Sequence, residues 1–121
     1  MSLKNIDKKD YILVEPPEAE YWEILQTFGS LLKVADYPYK NIIWDFRNAL
    51  LKPTYDELYK IKDWIKEKYP ENAKSDRKVA LVVEGGLNLA LAKEYIRIAN
   101  ELPPEFNIFP DLDSAKDWIK Q

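Results

Sequence analysis

The sequence predicts an α/β fold, with four or five strands in a mostly parallel sheet and four helices in the order β-α-β-α-β-α-β-α. Three observations predict it. Short apolar runs of strand length alternate with longer segments whose apolar residues recur at three-and-four spacing, the mark of a helix face. The run Val79 to Val83 is continuously apolar, which suits a strand covered on both faces. The connections are short, and strands that alternate with helices imply right-handed crossovers and a parallel sheet.

Each element has its own warrant. Tyr11 to Val14 reads as a short strand, ended by Glu15-Pro16-Pro17, whose prolines preset a helix start. Tyr21, Ile24, Leu25, Phe28, Leu31, Leu32 and Ala35 form one stripe, so the first helix is expected over about 18 to 35, before Pro38. Asn41 to Phe46 is rich in Ile and aromatics and reads as a buried strand. Leu58, Ile61, Ile65 and Tyr69 mark the second helix, closed by Pro70, and the polar stretch Glu71 to Asp76 reads as a solvated turn. Arg77 to Glu84 contains the clearest strand in the chain, and Gly85-Gly86 breaks it. Leu91, Ala92, Tyr95, Ile98, Ala99 and Leu102 give a third helix, stopped by Pro103-Pro104. Phe106 to Phe109 is a last strand, and Leu112, Ala115, Trp118 and Ile119 form the stripe of a closing helix. A further strand near Leu3 to Ile6 would pair antiparallel with Tyr11 to Val14.

At 121 residues with 46% hydrophobic content, the chain suits a single domain over 1–121 with one core. Lys plus Arg total 18 against 21 Asp plus Glu, a mild acidity that gives no reason to expect nucleic acid or an anionic membrane as partner. No apolar run approaches the roughly 18 residues of a membrane span. The N-terminal MSLKNIDKKDY lacks the apolar core of a signal or transit peptide, so a cytoplasmic location is expected. The chain has no Cys and no His. That composition excludes disulfides, thiolate chemistry, the triads that need an imidazole, and zinc sites of Cys/His type. Carboxylates, Lys, Tyr, Ser and Thr remain for chemistry, with Mg²⁺ or Ca²⁺ as the metals they suit. The expectation is a protein that is not an enzyme and carries no cofactor and no metal.

Asn41 to Leu58, NIIWDFRNALLKPTYDEL, concentrates the candidate site residues. Thr54-Tyr55-Asp56-Glu57 fits the capping box, in which the Thr54 hydroxyl accepts from the Glu57 N–H while the Glu57 side chain accepts from the Thr54 N–H. Asp111 is expected to cap the last helix, and Asn88 the third. Gly85-Gly86 reads either as a backbone approach to phosphate or as a tight turn. Asp45 and Arg47 stand at the carboxyl end of a strand, with Glu84 and Asp111 expected nearby. This set would bind a polar ligand or support Mg²⁺-dependent hydrolysis through Asp45, Glu84 and Asp111. The alternative is structural, with Asp45 accepting from loop N–H groups and Arg47 pairing with a carboxylate. Leu50 and Leu51 are unexpected in a loop: they either fold back on the core or form an apolar patch. Trp22, Trp44, Trp64 and Trp118 are expected at the core or its margin.

The succession of IIWDFRN, a helix from Thr54, RKVALVVEGG, a helix, FNIF and a closing DLDSAKDWI resembles the SpoIIAA-like branch of the STAS domains, the anti-sigma factor antagonist fold. The likeness runs from about Tyr11 to Ile119. It implies a small regulatory module that acts through a protein partner at the loop and helix start from Asp45 to Tyr59, with Asp45, Arg47, Leu50, Leu51, Thr54 and Leu87 as binding residues. In the partner-switching members a phosphorylated Ser or Thr within a D-S-[ST]-G-like motif opens the corresponding helix, and Thr54 occupies about that place. Here the local sequence is Lys52-Pro53-Thr54-Tyr55-Asp56-Glu57, with neither the Gly nor the preceding Asp-Ser. Phosphate on Thr54 would also meet Asp56 and Glu57, so the expectation is action without phosphorylation switching. The branch also looks similar to the CRAL-TRIO lipid-binding fold. That likeness implies the alternative of a lipid or other small apolar ligand between sheet and helices, with Leu50, Leu51, Leu87 and Leu89 at its mouth.

Overall fold

The computed structural model describes residues 4–7, 11–16, 20–33, 40–68 and 77–121. The elements among these residues are β1 (Lys4–Asp7), β2 (Tyr11–Glu15), α1 (Tyr21–Leu31), β3 (Asn41–Asp45), α2 (Tyr55–Lys68), β4 (Lys78–Val82), α3 (Gly86–Ile98), a 3-10 turn (Ala99–Glu101), β5 (Glu105–Phe109) and α4 (Leu112–Ile119). From β2 onward the expected alternation of strand and helix is present, and the additional N-terminal strand is present as well. The end expected for the first helix, beyond Lys33, lies outside the described residues, as do Pro17, Tyr69, Pro70 and the turn at 71–76.

The five strands follow chain order across one sheet, β1-β2-β3-β4-β5. β1 pairs antiparallel with β2, Ile6 opposite Leu13, while β2, β3, β4 and β5 are parallel. Sequential order means that every crossover steps in the same direction, and right-handed crossovers that do so put their helices on one face of the sheet. Ile12, Val14, Ile42, Trp44, Val79 and Leu81 accordingly point into the larger core, together with Ile24, Phe28 and Leu31 of α1, Leu58 and Ile61 of α2, and Leu91, Ala92 and Ile98 of α3. The alternate strand residues Leu13, Ile43, Ala80 and Val82 face the other way and meet Ala115 and Ile119 of α4. β4 is thus buried on both sides, the physical reason for its unbroken apolar sequence.

Aromatic contacts close the margins of both layers. Trp64 packs edge-on against Phe28, with ring centroids 5.6 Å apart, and joins α2 to α1. Trp118 packs on Phe109 at 5.4 Å. The Lys78 ammonium donates to the carbonyls of Trp118 and Gln121 at 3.0 and 2.9 Å, a cation on the negative end of α4. Trp22 departs from the expected place at the core margin. It sits one position off the α1 stripe and is 51% exposed, its indole N–H donating to Glu20 Oε2 at 2.9 Å.

Candidate functional site

The carboxyl ends of the parallel strands gather the start of α1, the loop 46–54 with the start of α2, the β4–α3 turn and the start of α4. In doubly wound sheets this end forms a crevice where the strand order reverses. Here the order never reverses, so the carboxyl edge is a surface on which loops meet.

Asp45 closes β3 with a buried carboxylate. Its Oδ1 accepts from the Arg47 backbone N–H at 3.1 Å and from Arg47 Nε at 2.9 Å, and its Oδ2 accepts from Nη2 at 2.8 Å. This is the structural alternative, with one guanidinium supplying a two-pronged, charge-assisted pair. Burial pushes the Asp45 carboxyl up, but the hydrogen bonds from the Arg47 side chain and backbone and its charge outweigh this, leaving it below its ordinary value of 3.8. The same bonds hold the Arg47 guanidinium in its charged form, with Glu84 and Glu15 adding weaker attraction. Both Asp45 oxygens are engaged, and among the described residues no three His, Cys, Asp or Glu side chains come together to hold a metal ion. The cation cluster of Asp45, Glu84 and Asp111 that the sequence offered as one alternative is therefore not formed. Asp111 instead accepts from the Ser114 N–H at 2.7 Å as the cap of α4, and that bond lowers its pKa.

Thr54 and Glu57 form the expected capping box. The Thr54 N–H donates to Glu57 Oε1 at 2.9 Å, and the Glu57 N–H donates to Thr54 Oγ1 at 3.2 Å. The Thr54 hydroxyl is thereby committed to starting α2.

Asn88 overturns its expected role. α3 starts two residues earlier, at Gly86, behind Gly85. Both glycines have positive φ, 131° and 62°, which a residue with a side chain adopts only with strain. The turn is completed by glycine, and the Asn88 side chain is released for another task. Its Nδ2 donates to the carbonyls of Ala49 at 2.8 Å and Phe46 at 3.4 Å, while its Oδ1 accepts from the Leu51 N–H at 2.8 Å. One side chain thus satisfies three backbone groups of the loop 46–51 that no regular element would satisfy.

That staple separates the two leucines. Leu51 is 6% exposed and joins the larger core, whereas Leu50 is 58% exposed. The two readings offered by the sequence are divided between adjacent residues. Leu87, the chain neighbour of Asn88, is also 58% exposed, so Leu50 and Leu87 flank the bond from Leu51 to Asn88. On the other side of the loop, Lys52 Nζ lies 3.4 Å from Glu20 Oε1, and the same Glu20 holds the Trp22 indole. Tyr55, at the start of α2, is 57% exposed. Trp22, Leu50, Tyr55 and Leu87 therefore stand on neighbouring helix starts and loops at one end of the sheet. Tyr59 follows one turn further, its hydroxyl accepting from Arg97 Nη2 at 3.1 Å. Leu89, expected at the mouth of a pocket, packs against the core instead.

Behind the loop lies a cavity of about 90 Å³ between the sheet and α1, α2 and α3. Leu51 and Pro53 line it at the loop, and Phe28, Leu58 and Ala92 line it from the three helices. Arg77, fully buried at the other end of the sheet, is the one charged residue in its wall among the described residues and donates to the Lys40 carbonyl at 3.4 Å.

No protein-family model, no curated protein and no solved structure matches this chain. No helix among the described residues is long and apolar enough to cross a membrane.

Proposed function

We propose that the chain is a small STAS-like regulatory module, cytoplasmic and non-enzymatic, that holds a protein partner at the carboxyl edge of its sheet. Leu50, Leu87, Tyr55 and Trp22 are the contact side chains. The observation that carries this reading is their joint exposure on adjoining loops. Single exposed apolar residues are ordinary, but a set rimmed by Lys52, Glu20 and Asp56 has the composition of an interaction surface. Tyr and Trp supply large contact area at low entropic cost and are enriched where binding energy concentrates. Asp45 and Arg47 serve the site by fixing the loop, and Leu51 by anchoring it. Thr54 holds the helix start, and with its hydroxyl engaged by Glu57 and acidic neighbours beside it, partner exchange proceeds without its phosphorylation.

The test is capture from a lysate of the source cells by immobilised wild type, Leu50→Asp/Leu87→Asp and a control, Gln121→Asp, at the opposite end of the sheet. A partner held by wild type and control and lost by the double variant is the expected result. Identical protein sets on all three would refute the reading, provided circular dichroism shows the double variant folded. Leu51→Asp is unsuitable for this purpose because it would bury a carboxylate.

A further inference from the structure

We infer that the cavity between the sheet and α1, α2 and α3 is a binding site for a compact, uncharged apolar molecule no larger than a single aromatic ring. This site is separate from the carboxyl-edge surface. Its wall is almost wholly hydrocarbon, with Phe28, Trp44, Leu58, Leu91 and Phe106 among the lining side chains, so water entering it would find few hydrogen-bond partners.

Size selects the ligand. The cavity measures about 90 Å³, against roughly 150 Å³ for an engineered cavity that takes benzene or xenon. A single ring enters with modest relaxation of the lining, whereas sites for drug-sized ligands run from about 300 Å³ upward. A long acyl chain therefore does not fit, and the lipid alternative narrows to something much smaller. Among the described residues Arg77 is the one charged group in the wall, and it donates to the Lys40 carbonyl at the end remote from the loop.

The loop 46–54 is the route of entry. Past Phe46, whose N–H donates to the Val82 carbonyl at 2.9 Å, residues 47–50 lie in turn and loop, and Leu51 and Pro53 line the cavity beneath them. Its attachment to α3 runs through the Asn88 side chain, so its middle lifts by breaking those bonds and withdrawing Leu51, while the Asp45–Arg47 pair keeps its start in place.

The probe is benzene, added at millimolar concentration to ¹⁵N-labelled full chain and followed by amide NMR, with palmitate as a second arm. Saturable shifts confined to the residues lining the cavity, around Leu51, Leu58 and Ala92, are expected, and palmitate should cause none there. Ala92→Met grows a flexible side chain into the cavity and should weaken benzene by about tenfold or more. No saturable shift, shifts elsewhere on the surface, or binding of palmitate in place of benzene would overturn the proposal, as would unchanged benzene affinity in a folded Ala92→Met. If that variant does not fold, the wild-type shift map decides alone.

Discussion

Truncating Leu51 and leaving Leu50 alone should be far more damaging than the reverse, although the two leucines are adjacent. Leu51 is 6% exposed and packs in the larger core, so Leu51→Ala loses both the burial of its side chain and the contacts its neighbours made with it. Large-to-small changes of this kind cost about 2 to 5 kcal/mol. Leu51 already borders the 90 Å³ cavity, and removing its side chain extends that space in place of letting the wall collapse. A value of about 3 kcal/mol or more is therefore expected. At about 4 °C per kcal/mol for a domain of this size, the melting temperature should fall by about 12 °C. Leu50 is 58% exposed, so Leu50→Ala should stay within about 0.5 kcal/mol of wild type, or about 2 °C. Urea unfolding followed by tryptophan fluorescence, paired with thermal melts by circular dichroism, measures both. Equal losses for the two variants, or a larger loss for Leu50→Ala, would refute the division of the loop into an inner and an outer leucine.

Three further outcomes follow from the same geometry. Thr54→Ala should cost about 1 kcal/mol in urea unfolding by removing the cap of α2, and should leave partner capture unchanged because Thr54 acts only on the helix start. Asn88→Ala leaves the Leu51 N–H and the Ala49 carbonyl without their partner, so a loss of about 1 to 3 kcal/mol is expected, with faster amide exchange at Leu51. Asp45 titrates below its ordinary value of 3.8 in the folded chain, so its ionised form stabilises the fold above that pH. This contribution disappears as the pH falls through the lowered value. The stability gap between wild type and Asp45→Asn should be full at pH 7 and shrink below about pH 4, and a gap that widened on acidification would contradict the Arg47 pairing.

Much of this fold was legible because local pattern and tertiary role agree in it. The stripe Leu58, Ile61 and Ile65 faces the core as its spacing says, and Thr54 with Glu57 needs only its own four residues to form a cap. Val79 to Val83 announces a strand covered on both sides because helices do pack on both faces of the sheet there. The candidate site was less legible, since its decisive contacts join distant residues. Asn88 reads as a helix cap until Gly85 and Gly86 take over the turn and leave its amide to bond residues 37 to 42 positions away. Alternation along an extended loop puts Leu50 and Leu51 on opposite sides, yet which one turns inward depends on that same amide. Trp22 lies beside the α1 stripe, where a large aromatic could tilt either way, and the bond to Glu20 holds it outward. The cavity has no sequence signal, because its volume is set by how closely side chains from α1, α2, α3 and the sheet meet.

Site-specific photo-crosslinking tests the central claim, that the carboxyl edge is the partner surface, most directly. A benzophenone amino acid placed in turn at Leu50, Leu87 and Tyr55, and as control at Lys120 beyond α4, is irradiated in source cells. The account predicts one shared adduct from the three edge positions and none from the control. Adducts from Lys120 alone, or no adduct from any edge position in cells that contain the folded protein, would contradict it.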